Sequence, residues 1–260
     1  MSLTLSLPEE ARLELKEALT SLEHQSLAAR LAGMAGTPIE ALKRRLPDKA
    51  QAMLDGAIKR ALDTALRAAL RSDPSKVPVP SVSGSTFHRG LAALTGAAGG
   101  ALGLPGTLLE LPVSTTLLLR QIAAEAAAQG EDLGDIEVAA ECLKVFALGS
   151  NDPADDAAET GYFAARLALA QGVPQLAAQS INTLLPGFVS AIAARFAGPM
   201  TLKLTAQAAP FLGAAAGAAV NLAFLEHFKG VARGHFTIRR LERLHGVSAV
   251  REAAAGMRAG

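Results

Sequence analysis

The stretch that most constrains this chain runs from Gly90 to Gln129, GLAALTGAAGGALGLPGTLLELPVSTTLLLRQIAAEAAAQ. Between Arg89 and Arg120 only Glu110 carries a charge, and Gly, Ala and Leu dominate what remains. A run this apolar is long enough to cross a bilayer, which takes about 20 residues. Gly99-Gly100 and Gly103-Leu104-Pro105-Gly106, followed by Pro112, predict a bend instead, and with it a tight helical hairpin inside a protein core.

A second stretch has the same character. Leu204 to Leu225, LTAQAAPFLGAAAGAAVNLAFL, is uncharged over a membrane-spanning length. It holds Gly213-x-x-x-Gly217, and the first stretch holds Gly96-x-x-x-Gly100 and Gly99-x-x-x-Gly103. Small residues four apart share one helix face and let two backbones approach closely. Thr205, Gln207, Pro210 and Asn221 would be awkward facing lipid, which favours close packing in a soluble core. Composition agrees with helices. Half the chain is apolar, yet aromatics make up only 4% and there is no tryptophan, so Ala and Leu carry the apolarity. Both are strong helix formers and weak strand formers. The expected class is all-α, with the two Gly/Ala-rich hairpins at the centre and amphipathic helices around them.

Three segments follow from local signals. Residues 1–85 read as a helical N-terminal extension. It opens on Pro8-Glu9-Glu10, a good first turn for a helix. Thr37-Pro38-Ile39-Glu40 forms a capping box, and Leu54, Ile58, Leu62, Leu66 and Leu70 mark a stripe of core-packing type. The extension ends in a Pro/Ser linker from Ser72 to Ser85. Residues 86–246 form the main helical domain, and 247–260 read as a disordered tail.

Several chemistries are excluded or unsupported. A formal charge of +1 gives no reason to expect nucleic-acid binding. One cysteine, Cys142, rules out an intramolecular disulfide and a cysteine-based zinc site. Asp152, Asp155, Asp156 and Glu159 lack the spacing of a calcium loop and read as helix caps. No nucleophile elbow, metalloprotease helix or phosphate-binding glycine loop is present. The expectation is a protein without cofactor, metal or catalytic constellation. The N-terminus lacks the pattern of a secretory signal, so a cytoplasmic location is expected.

What remains is a set of polar residues in apolar surroundings: Glu110, Arg120, Tyr162, Arg166, Asn221 and Arg239. A lone buried charge is costly, so Glu110 should pair with Arg120 or Arg166. The alternative is a polar anchor at one end of an apolar pocket, gripping a lipid carboxylate or phosphate. Near the C-terminus Lys229, Arg233 and Arg240 form a basic stripe that would suit either solvent or an anionic membrane surface.

The ordered blocks GLPGTLLELPVSTTLLLRQIAAEAAAQGEDL, CLKVFALGS, ETGYFAARLALA, APFLGAAAGAAVNLAFLEHF and GHFTIRRLERLHG resemble the EcsC protein family. The resemblance covers roughly Gly90 to Gly246, with Tyr162-Phe163, Arg166 and Pro210 to Asn221 at characteristic positions. It implies a gene neighbourhood beside an ABC transporter and no established catalytic activity. The leading expectation is therefore a non-enzymatic protein, peripheral on the inner face of the membrane. It would bind lipid or a membrane partner such as an ABC transporter. The alternative is a soluble carrier of a lipid or fatty acid in an internal cavity. Nothing in the sequence sets an oligomeric state.

Overall fold

The computed structural model describes residues 7–23, 27, 53, 56–62, 83–149, 162–163, 166–167, 192–193, 203 and 213–258. Among these the chain is helical and contains no strand. Five helices have defined bounds: α1 (Glu9–Glu23), α2 (Ser83–Ala128), α3 (Ile136–Leu148), α4 (Gly213–His245) and α5 (Val247–Arg258). The capping box at 37–40, most of the stripe at 54–70, the linker up to residue 82 and the acids at 152–159 lie outside the described residues.

The protein is all-α, and its described centre is built from the two Gly/Ala-rich stretches. Helical backbone runs the whole length of α2, yet Ala92, Leu117 and Leu118 line the same small cavity. A straight helix would hold residues 25 apart about 37 Å from each other. The chain therefore doubles back between Ala97 and Pro112, where the glycines and Pro105 fall, and α2 is a hairpin of two helical arms. Its first arm runs antiparallel to α4: Arg89 meets Glu226, Asn221 reaches Ala92 and Thr95, and Gly96 meets Gly217. Its second arm runs parallel to α4, placing Glu125 beside Arg233. Lys203, just ahead of the second stretch, packs against α4. Lys203 Nζ lies 5.7 Å from the Phe224 ring centroid, although one continuous helix would separate them by about 30 Å.

At the crossing of α2 and α4 there is no room for a side chain. A Cβ on Gly96 would sit 2.2 Å from the Gly217 carbonyl oxygen and 2.8 Å from Asn221 Nδ2. The small-xxx-small spacing thus works here as expected, through direct backbone approach.

Helix α4 is the axis of the molecule. Between Val231 and Ile238 every residue but Arg233 is buried. Helix α1 covers one side with Ala11, Leu15, Ala18 and Leu19, spaced at helical intervals, and Leu7 just ahead of it is buried too. The helix packs so closely that a Cβ on Gly234 would lie 2.7 Å from the Ala18 carbonyl oxygen. On another side α3 begins at Asp135, whose carboxylate accepts from the Glu137 amide at 2.8 Å. It is buried along most of its length and ends with Gly149 against the Phe228 ring.

Two boundaries differ from expectation. Ser83 already belongs to α2, so the Pro/Ser segment gives way to helix before Ser85. The segment after Gly246 is ordered helix up to Arg258 rather than a frayed tail. Val250 and Ala254, one turn apart, bury against the core, and Gly246, with φ of 89°, supplies the left-handed residue that turns the chain from α4 into α5.

Candidate functional site

Among the described residues, a buried polar network gathers on the C-terminal half of α4. His235, 0% exposed, is held at both ring nitrogens. Its Nε2 lies 3.0 Å from Glu141 Oε2 on α3, and its Nδ1 lies 2.9 Å from the Tyr162 hydroxyl. A carboxylate only accepts, so Nε2 carries the proton and donates to Glu141. Nδ1 then accepts from Tyr162. Burial pushes the His235 pKa down despite the carboxylate beside it, so the ring is neutral.

Glu141 also receives Lys144 Nζ at 2.9 Å and faces Arg239 Nη1 at 3.2 Å. Burial alone would raise its pKa. The hydrogen bond from His235 and the positive charges of Lys144 and Arg239 overcome this and hold the carboxyl well below the ordinary range. Arg239 continues the chain of pairs to Glu131, with Nε 3.0 Å from Oε1, and Arg243 closes on the same carboxylate. Burial opposes ionisation of Glu131 too, and these two guanidinium groups more than offset it.

Glu131 is positioned by the end of α2. Gly130, with φ of 75°, reverses the backbone so that its own amide bonds to the Ala127 carbonyl and the Glu131 amide to that of Ala126. This is the double bond pattern of a glycine-terminated helix. One turn further along α4, Glu242 accepts a forked pair from Arg166 at 2.9 and 2.6 Å. Tyr162 and Arg166, both helical, thereby join the site as one unit.

The expected anchors are placed as follows. Tyr162 and Arg166 come together, but inside this network rather than at a pocket mouth. Arg166 is paired with Glu242, and Arg120 is exposed. The Glu110 side chain lies outside the described residues. Asn221 sits apart, donating to the Ala92 carbonyl at 3.0 Å and to Thr95 Oγ1 at 3.3 Å, where it fastens the first arm of α2 to α4.

The basic stripe does not form one open cationic face. Arg233 pairs with Glu125 on α2 at 3.3 Å and Arg240 pairs with Glu14 on α1, while Lys229 is half-buried. The two arginines tie neighbouring helices to α4.

The residues that sequence reasoning missed are Glu131, Glu141, Lys144, His235, Glu242 and Arg243. Lys144 could have been noticed, since it is the one cation on the apolar face of CLKVFAL. Cys142 beside it is buried, and desolvation together with the negative charges of Glu141 and Glu131 pushes its thiol up to about 12.

A cavity of about 10 Å³ lies between the arms of α2 and α4. Its lining includes Leu117, Leu118 and Phe224 together with Ser114, Lys203 and Asn221. Lys203 Nζ donates to Ser114 Oγ at 3.1 Å there. The volume is about that of one water and far from that of an acyl chain. Among the described residues no group of three or more His, Cys, Asp or Glu is arranged to hold a metal.

The model of the EcsC protein family matches residues 81–241. The chain belongs to the EcsC protein family. Comparison with curated proteins and with solved structures found no match. The EcsC match takes in the α2 hairpin, α3 and nearly all of α4, and with them every member of the polar network except Glu242 and Arg243. Helices α1 and α5 lie outside it.

Proposed function

We propose that this EcsC protein is non-enzymatic and acts at the membrane surface, docking through the α2 hairpin. The observation that carries the reading is the pair Leu94 and Val113, 67% and 47% exposed. They stand on opposite arms, either side of the sequence GLPG, in the stretch where Glu110 is the one charge between Arg89 and Arg120. Exposed leucine and valine on a charge-poor hairpin suit insertion into the outer few ångströms of a bilayer. Among the described residues no helix is long and apolar enough to cross a membrane, which fits peripheral contact through a hairpin. The resemblance stated above adds a membrane-protein partner, such as an ABC transporter, as the setting for that contact.

The catalytic alternative lacks support for a physical reason. The most reactive-looking group, Tyr162–His235–Glu141, is fully enclosed and its hydrogen-bonding capacity is spent internally. The carrier alternative finds no acyl-sized space in the described cavity.

Flotation of the full chain with protein-free vesicles tests the reading, comparing zwitterionic with anionic lipid. Wild type should float, and a Leu94→Asp/Val113→Asp variant of unchanged helicity should stay at the bottom. Equal flotation of the two would overturn the role of the hairpin. Flotation only with vesicles that carry membrane proteins would move the contact from lipid to a protein partner.

A further inference from the structure

Tyr162 and Arg166 reach α4 through just two polar connections in the described structure, and both are unusual for a helix contact. One is the Tyr162 hydroxyl to His235 Nδ1, the other the Arg166 fork to Glu242. The first depends on a ring nitrogen with no proton, and His235 has no solvent around it to supply another arrangement.

We infer that Tyr162–His235 is an acid-sensitive latch, which releases Tyr162 and Arg166 from α4 when His235 takes up a proton. The groups around His235 decide the direction. From α3 it faces Glu141, with Lys144 behind the same carboxylate. From its own helix Arg239 shares that carboxylate and Glu242 lies two turns on. From the third side come Tyr162 and Arg166, and Glu131 stands beyond Arg239.

Protonation places a donor at Nδ1 against the tyrosine hydroxyl, which must rotate and surrender its acceptor. The new charge is attracted to Glu141, but that carboxylate is already shared by Lys144 and Arg239, and Arg166 repels it. A proton is therefore bound more tightly once the latch is open and water reaches the ring, and mass action opens it as the pH falls. The burial-driven lowering of the His235 pKa agrees with this direction.

The sequence supplies its own reporter. Tyr162 is the single tyrosine in a chain with no tryptophan, so tyrosine emission reads this hydroxyl alone. The test is amide hydrogen exchange on the full chain between pH 7.5 and 5.5, corrected for intrinsic exchange, with tyrosine emission followed alongside. For one proton and an open-state value near 6.5, opening should increase about tenfold over that range. The increase should be confined to the peptide holding Tyr162 to Leu167, leaving α4 and the second arm of α2 unchanged.

His235→Gln keeps a donor towards Glu141 and removes the titration, so its profile should be flat. An absent step in wild type, or a step that persists in His235→Gln, overturns the latch. If that variant does not fold, wild type still decides the matter: an equal rise in all helices is global acid unfolding and refutes a local release.

Discussion

The two halves of α4 meet their neighbours by opposite means. From Gly217 to Phe224 contact is made by taking side chains away, so that Gly96 and Gly217 bring backbones together and Asn221 pins the first arm of α2. From Arg233 to Arg243, beside the close approach of Gly234 to α1, long side chains bridge to α1, α2, α3 and the turn after α2 through ion pairs. The first kind tolerates no added atom but is indifferent to pH and salt. The second tolerates changes in shape and is sensitive to both. One helix thus carries a steric half and an electrostatic half.

The largest expected effect falls on the steric half. Gly96→Leu forces a branched side chain into the Gly217 backbone, and overpacking that only backbone movement can relieve exceeds the usual cost of about 1–3 kcal/mol. No soluble helical protein should be recovered. A soluble variant with a melting curve near that of wild type would show that the crossing is not tight.

Next comes Glu141→Ala, which leaves Lys144, 1% exposed, and Arg239 without their shared acid. Stripping one partner from a buried ion pair costs about 3–5 kcal/mol, to be read from urea unfolding at pH 7.

The third effect concerns pH. His235, Glu131 and Glu141 all have pKa values lowered by folding, so below their ordinary values the unfolded chain binds protons that the folded chain refuses. Stability should therefore fall as the medium becomes acid, beginning near pH 6.5 through His235 and steepening below about 4.5 as the carboxylates join. Each group contributes up to about 1.4 kcal/mol per pH unit within its window. A melting temperature that is flat from pH 7 to 5 would remove His235 from this account.

The smallest effect is Arg240→Ala. Its pair with Glu14 is a third exposed, so its loss should cost about 0.5 kcal/mol and vanish in high salt. A larger, salt-independent loss would mean that α1 is held to α4 by that arginine rather than by Leu15 and its neighbours.

The sequence was far more informative about the steric half, and the reason is range. A glycine four residues from another glycine is a local statement about one helix face, and it foretold the close crossing, while Gly99-Gly100 and Gly103-Leu104-Pro105-Gly106 foretold the reversal within α2. The electrostatic half is made of partners as distant as Tyr162 and His235 or Arg240 and Glu14. No spacing rule relates such residues, so Arg233 and Arg240 read as a stripe facing either solvent or an anionic membrane, while each has a carboxylate partner on another helix. Arg166 reads only as a candidate partner for Glu110, because the acid it meets, Glu242, lies 76 residues away and nothing local marks it. The tail was misjudged because Val250 and Ala254 are too few apolar residues to announce a helix without the core they lean on.

The position of Cys142 has a practical consequence. As the lone cysteine, buried and with its thiol pushed up to about 12, it is shielded from maleimides and disulfide reagents at neutral pH while the core stays closed. The protein thus contains a clock for its own opening, readable by mass as one adduct per molecule. A second cysteine placed on the exposed arms of α2 would react at once, so a probe could be attached there without first removing the native thiol.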